Sequence, residues 1–446
     1  MIFNRKATFK MLWPVMLESL LATAAMIIST AMATGISASA TSAVGLVNPV
    51  NFLFIGLLMA YSSGITVVVS QRIGGGDVKT AGQTAMQAIM ALVMGVTVVS
   101  VLLALFGNPL IGLLFGGAGT ETIAQTNIYF RYIALSMPLW AAYSGLAGLM
   151  RATGNNVGPM LASIIGNIAL IATIYACRGL GMDIDALGWG MVANRLAAAG
   201  VLVFLQWRGI GTIYLSKITF KLKAALLAPV LRISIPASLD AFFFSGTKLL
   251  VMVFMADMGD IVLNANMVGS NVAALILLPG GAVMTIVVTM VGQAYGAKRY
   301  DEARKYMLKM IGLACLLQTG AALLTLPLMN TLINMNMGQA AQYQDEITSL
   351  ARTVILLLAA TMPLFWAPGF VGPNALRGAG DVRYTVVASL GSLFIVRLFG
   401  AWFLGRYLNL GLIGIWLAMA GDWVARSAIF MPRVLGKKWI PKEDEE

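Results

Sequence analysis

"PVMLESLL" (residues 14–21) sets Pro14 and Glu18 inside an apolar run, where an ionisable side chain is costly. "PASLDAFF" (236–243) repeats the arrangement: proline, three residues, then an acid, here Asp240. The two acids lie 240 − 18 = 222 residues apart, about half of a 446-residue chain. Further pairs follow in the same order. "SQRIGGGD" (70–77) answers "GQAYGAKR" (292–299), and "SMPLW" (136–140) answers "TMPLFW" (361–366). "LMRATGN" (149–155) answers "ALRGAGD" (375–381), aligning Arg151 with Arg377 and Gly154 with Gly380. The chain reads as a duplicated half.

Composition places the two halves in a membrane. The chain is 59% hydrophobic and 11% charged, whereas soluble domains carry about a quarter charged residues. A stretch such as "MVGSNVAALILLPGGAVMTIVVTMV" (267–291) exceeds the roughly 20 apolar residues that cross a bilayer as a helix. The runs do not alternate, which excludes a β-barrel. The fold class expected is an all-α membrane protein. Its twelve transmembrane helices lie near 11–34, 46–71, 82–106, 127–149, 157–177, 187–207, 232–256, 263–292, 305–329, 350–372, 383–404 and 410–432.

Of the 30 basic residues, 22 lie on one side of these spans, in loops or in the span turns beside them, counted from Arg5 to Lys442. By the positive-inside rule both termini are cytoplasmic, and the chain is expected to be multi-pass in the cell inner (plasma) membrane. The net charge of +12 is therefore topological, and no nucleic-acid partner is expected. Cys177 and Cys315 sit within or beside apolar runs and imply no disulfide framework or metal set. Histidine is absent, which removes the usual proton carrier at neutral pH.

Six spans return a chain to its starting side, so the halves form a parallel repeat about the membrane normal, as in many secondary transporters. The boundaries expected are an amino-terminal six-helix lobe (1–207), a cytoplasmic interlobe linker (208–231), a carboxy-terminal six-helix lobe (232–433) and a charged tail (434–446). The linker's mixture of basic and apolar residues suits an interfacial segment.

These residues resemble the prokaryotic branch of the multidrug and toxic compound extrusion (MATE) transporters. The resemblance rests on the two proline–acid pairs, "SSGITVVVSQRIGGGD" (62–77), "VGQAYGAKRYDEA" (291–303) and "LRGAGDVRY" (376–384). It implies two pseudo-symmetric six-helix lobes in a V around a central cavity, and antiport of a drug or metabolite against H⁺ or Na⁺. Members with a marked amino-lobe ion site carry an Asp fifteen residues after the first proline, where this chain has Ser29. They also carry Asn and then Asp four residues on in the fifth span; here Asn167 is kept and Ile171 takes the acid's place. A cation site built from those two acids is absent.

The acids left within spans are Glu18, Asp240 and Asp422. Glu18 lies about 10 Å into its span and Asp240 about 12 Å, one turn beyond a proline in each case. Both are candidates for ion coupling, with Asp240 the first choice. Its sequence neighbours are mostly Ala, Phe and Leu, an apolar wall against which a carboxylate favours its proton. A local capping or pairing role is the plainer alternative for both. Asp422 has Arg426 four residues on, which reads as a structural ion pair. A structural reading also suits Arg195 and Arg397.

Lys248, two turns after Asp240, either snorkels to the outer interface or lines the cavity and pairs with Asp240 or Glu18. In the cavity it would disfavour purely cationic drugs. Asn48, Asn51, Asn266, Asn271 and Asn167 complete the candidate cavity residues, although plain hydrogen bonding between helices is the favoured reading of such asparagines. The 28 methionines suit either a promiscuous pocket or plain helix packing. "GGGD" (74–77) lacks the Lys-Ser/Thr ending of a phosphate loop and reads as a turn.

The function expected is ion-coupled antiport, H⁺ before Na⁺, exporting drugs or organic metabolites by alternating access between two lobes. A flippase for a lipid-linked or amphiphilic precursor is the alternative. No enzyme activity, no cofactor beyond the coupling ion and no metal are expected. The partners expected are a small-molecule substrate and membrane lipid, with the chain acting as a monomer.

Overall fold

The computed structural model describes residues 3–115, 119–209, 222–337 and 343–441. The middle of the expected linker (210–221) and the end of the tail (442–446) lie outside the described residues.

The first half forms α1 (Arg5–Thr34), α2 (Ala38–Gly74), α3 (Val78–Phe115), α4 (Thr120–Ala152), α5 (Val157–Gly179) and α6 (Ile184–Trp207). The second forms α7 (Ala224–Ala256), α8 (Asp260–Gly296), α9 (Tyr300–Thr325), the short α10 (Met329–Asn336), α11 (Gln344–Thr361), α12 (Ala367–Gly378), α13 (Val382–Ser392) and α14 (Gly411–Leu435). A π-helical turn, Met362–Trp366, joins α11 to α12 into one crossing. Two more, Leu393–Leu398 and Ala401–Tyr407, extend α13. Eleven crossings are long and apolar enough for a bilayer among the described residues. With the 30-residue α1 they make the expected twelve.

The π turn at 362–366 has a cause in the repeat. "SMPLW" and "TMPLFW" differ by one residue: Met362 is 225 positions after Met137, but Trp366 is 226 after Trp140. One residue inserted into a helix without breaking it produces a π turn. The loosened carbonyl of Phe365 accepts a hydrogen bond from Ser427 Oγ at 2.6 Å. The spans also run longer than hydropathy alone suggests. α7 begins at Ala224, before the expected 232, because "AALLAPVL" is rich in strong helix formers.

The chain divides into two compact units, Phe3–Ser238 and the residues from Leu239 onward. In the first, α4 is the most enclosed crossing and packs on α2, α3 and α6. Helix association in lipid rests on close packing and hydrogen bonds between helices. Both are present here: Ser62 Oγ donates to Ser144 O at 2.6 Å and Thr66 Oγ1 to Gly148 O at 3.0 Å. The opening turns of α7 belong to this unit, where Ser234 Oγ donates to Tyr61 O at 3.1 Å. A Cβ on Gly64 would overlap Ser234, so glycine permits that approach. In the second unit α8 plays the part of α2, packing on α9, α11 and α12.

Candidate functional site

Each copy builds an arginine onto the end of a helix by the same local device. After Arg151, Gly154 N–H bonds to Arg151 O at 2.9 Å and Asn155 N–H to Met150 O at 3.0 Å. After Arg377, Gly380 bonds to Arg377 O at 2.9 Å and Asp381 to Leu376 O at 3.0 Å. The glycines have φ of 84° and 90°, the left-handed conformation that a Schellman closure requires and glycine adopts without strain. The arginine is thereby fixed in the last turn of α4 or α12.

Those arginines meet the duplicated acids. Arg151 Nη2 lies 2.7 Å from Glu18 Oε1, and Arg377 Nη2 lies 2.5 Å from Asp240 Oδ2. All four side chains are between 12% and 15% exposed, so neither pair is a solvated surface bridge. In both pairs one carboxylate oxygen carries the bond. The other, Glu18 Oε2 or Asp240 Oδ1, is buried with no hydrogen-bond partner among the described residues. The copies differ in one donor. Tyr143 Oη donates to Glu18 Oε1 at 2.9 Å, whereas the matched position, 143 + 226 = 369, is Gly369. A Cβ on Gly369 would already stand 3.2 Å from Trp423 O and from Arg426 Cβ.

This corrects the apolar wall expected around Asp240. Sequence neighbours report only the acid's own helix, and Arg377 arrives from 137 residues away. Arg151, Arg377 and Tyr143 are not among the site residues expected from sequence, which assigns the two arginines to loops. The matched Arg–Gly pairs are the signal that marks the first two.

Lys248 pairs with neither acid among the described residues; it is exposed, with Nζ 4.9 Å from the centroid of the Phe244 ring. Asp422 and Arg426 form the expected ion pair, Arg426 Nε lying 3.0 and 3.1 Å from the two carboxylate oxygens. Arg195 has no acid. It donates to Asn51 Oδ1 at 2.7 Å, Ser136 Oγ at 2.8 Å and Ile133 O at 3.0 Å, which places Asn51 in a buried structural network. Asn167 donates to Leu21 O at 3.3 Å and accepts from Asn194 at 3.1 Å, tying α5 to α1 and α6. Asn266 accepts from Trp416 Nε1 at 3.2 Å, Asn271 donates to Asn336 at 3.2 Å, and Asn48 is half-buried on α2. The structure thus gathers Glu18 and Asp240 into pair sites and leaves the asparagines dispersed.

A family model described as MatE matches residues 14–176 and 236–403. Its two stretches begin on Pro14 and Pro236, the prolines of the repeated acid motif. The uncharacterized transporter YisQ of Bacillus subtilis is 24% identical over 443 residues, 97% of this chain and 95% of that protein. A "Probable multidrug resistance protein NorM" of Thermotoga maritima is 24% identical over 447 residues, 98% and 93% of the two chains. Among solved structures, an outward-facing multidrug resistance MATE family transporter of the MOP superfamily superposes with a TM-score of 0.85 at 18% identity, covering 96% of this chain and 95% of that one. A MOP superfamily transporter from Pyrococcus furiosus, described as having a binding pocket of reverse polarity, gives 0.85 at 18% identity over 96% of each chain. With three-quarters of its length matched in two repeats, the chain belongs to the MatE family of membrane transporters.

Proposed function

We propose that this protein exports small organic molecules by antiport against an ion, with H⁺ the coupling ion and Asp240 its carrier. The relatives named as multidrug resistance proteins support the cargo class. The observation that carries the coupling is the half-used carboxylate of Asp240: Oδ2 is bonded to Arg377, and Oδ1 is buried without a partner among the described residues.

A proton placed on Oδ1 removes the charge that holds Arg377, freeing the end of α12 from α7. Its departure restores the pair. An intramembrane carboxylate with a defined partner is the usual form of such a relay. Glu18 has the same half-used carboxylate but two donors on its other oxygen, so it is the more firmly held of the two and has the lesser part. A sodium ion needs several oxygen ligands, as hard cations do, and at Asp240 it would stand beside a guanidinium. The missing acids at Ser29 and Ile171 argue the same way in the other copy. Alternating access of the two lobes then exposes the pair and the cargo to one side at a time.

The test is uphill movement of a fluorescent dye by purified protein in proteoliposomes, under a pH gradient without Na⁺. Wild type is expected to run and Asp240→Asn to stop. Transport driven by a Na⁺ gradient alone would reassign the ion, and uphill pumping by Asp240→Asn would remove the acid from its role.

A further inference from the structure

The second unit holds more buried positive charge than its acids answer. Asp422 is fully buried and already engaged: Oδ1 accepts from Ser392 Oγ at 2.5 Å and both oxygens accept from Arg426 Nε. Arg426 completes its bonding at Ser389, to Oγ at 3.2 Å and the backbone carbonyl at 3.1 Å. Arg397 comes no closer to Asp422 than 3.9 Å, beyond hydrogen-bonding reach. Its side chain is 3% exposed, yet Nε and Nη1 have no partner among the described residues.

Buried charged donors left unbonded are among the costliest arrangements in a protein. A bound ligand is one arrangement that satisfies them. Arg397 sits on the π turn Leu393–Leu398, and such turns are frequent at functional positions. Its Cζ lies 4.8 Å from the Phe244 ring centroid, and Lys248 Nζ lies 4.9 Å from the same centroid. Two cations therefore gather on one aromatic ring, one exposed and one buried, and the one acid of the cluster among the described residues, Asp422, bonds to a third cation.

Resting on the transport reading, we propose that Lys248 and Arg397 form an anion subsite that receives an acidic substituent, a carboxylate or sulfonate, of the exported molecule. Phe244 supplies the apolar surface on which the body of such a molecule packs. The preferred cargo is then an aromatic acid or zwitterion, not a simple cation. A free inorganic anion shares the charge chemistry, and the experiment separates the two sources.

Full-length protein in detergent is titrated in low-salt buffer with dansyl-phenylalanine and with dansyl-phenylalaninamide, which differ only in the carboxylate. The acid should bind about tenfold more tightly, the scale of one charge-assisted hydrogen bond. Lys248→Met and Arg397→Gln should each bring the ratio toward one without weakening the amide. If the occupant is an inorganic anion, the dyes bind alike. Chloride, against a gluconate control, then raises the Tm of wild type and not of Arg397→Gln, which keeps the subsite and changes its ligand. Equal dye affinities, or no binding of either, together with no chloride effect overturn the proposal. Should Arg397→Gln fail to fold, Lys248→Met decides alone: an unchanged ratio removes the subsite. No gradient enters these measurements, so a protein that prefers the acid yet moves nothing in vesicles sinks the transport reading and leaves the subsite standing.

Discussion

The two copies of the repeat agree where the duplicated motifs meet and part company elsewhere in the membrane. In both, an acid one turn beyond a proline meets an arginine held by a glycine closure. In the first copy Arg195 is answered entirely by neutral acceptors: Asn51, Ser136 and the Ile133 carbonyl. In the second copy Arg397 is left with donors unpaired among the described residues. Its π turn, like the one at Met362–Trp366, has no counterpart in α4 or α5. The copies thus differ in how they treat a buried arginine outside the acid pairs: the first bonds it to neutral acceptors, the second leaves donors open. Duplication supplied a frame, and later single-residue changes specialised one half of it.

The largest effect should come from breaking the matched pairs unequally. Asp240→Asn is expected to abolish H⁺-driven dye efflux, while Glu18→Gln lowers it several-fold and leaves it measurable. Arg377→Met strands Asp240 as an unpaired acid. Removing one member of a buried pair costs about 3 kcal/mol or more, so lower yield and Tm are expected. Asp240→Asn combined with Arg377→Met should restore the Tm and not the transport. Equal loss in the two acid variants would mean that the copies share the coupling work, against the difference drawn from Tyr143.

Arg195→Met addresses the other side of the comparison. It leaves Asn51 and Ser136 without their donor, which should cost about 2 kcal/mol, read as a fall in the Tm of the purified protein. The preference for dansyl-phenylalanine over its amide should not change. A change in that preference would extend the anion subsite to the first copy and erase the distinction between the lobes.

Much of this frame is legible in the amino-acid sequence. The class, the twelve crossings and the repeat follow from apolar length and from motif order, because a bilayer imposes helix length and duplication preserves spacing. The acids stand out because a charge in an apolar run is expensive. Their arginine partners do not: Arg151 and Arg377 stand beside glycine turns that read as loops, and only the fold brings them across more than 130 residues to α1 and α7. The π turn is written in the extra Phe365, visible only by comparing offsets on either side of it. Lys248 and Arg397 can each be seen as odd, but their meeting on Phe244 depends on the rotation of α7 against the π-helical stretch after α13. Periodicity does not specify that rotation.

A smaller effect should follow from the donor that only one copy has. Tyr143→Phe deletes the second hydrogen bond to Glu18 while keeping the ring that packs 4.8 Å from Trp140. If that hydroxyl is what restrains Glu18, the variant makes the first copy resemble the second. Double substitution of Asp240→Asn with Tyr143→Phe should then recover a fraction of H⁺-driven efflux, through a Glu18 held by arginine alone. No recovery would mean that the tyrosine does not set the difference between the acids.

The smallest effect concerns the turns after α2 and α8, where the copies solve one backbone problem with different residues. Gly76 and Lys298 are matched at the same offset, 298 − 76 = 222. They close their helices alike, Gly76 N–H to Ile73 O at 3.0 Å and Lys298 N–H to Tyr295 O at 2.9 Å. Both are left-handed, with φ of 84° and 59°. Glycine holds that conformation freely, whereas a residue with a Cβ is disfavoured by about 1 kcal/mol. Gly76→Lys should therefore lower stability by about 1 kcal/mol, and Lys298→Gly should raise it by less, because the lysine has interactions of its own to lose. Thermal unfolding of the two purified variants against wild type checks both signs. A fall in Tm for Lys298→Gly would show that the lysine's side-chain contacts outweigh its backbone strain. The second copy would then hold this turn by a contact that the first copy's glycine cannot make.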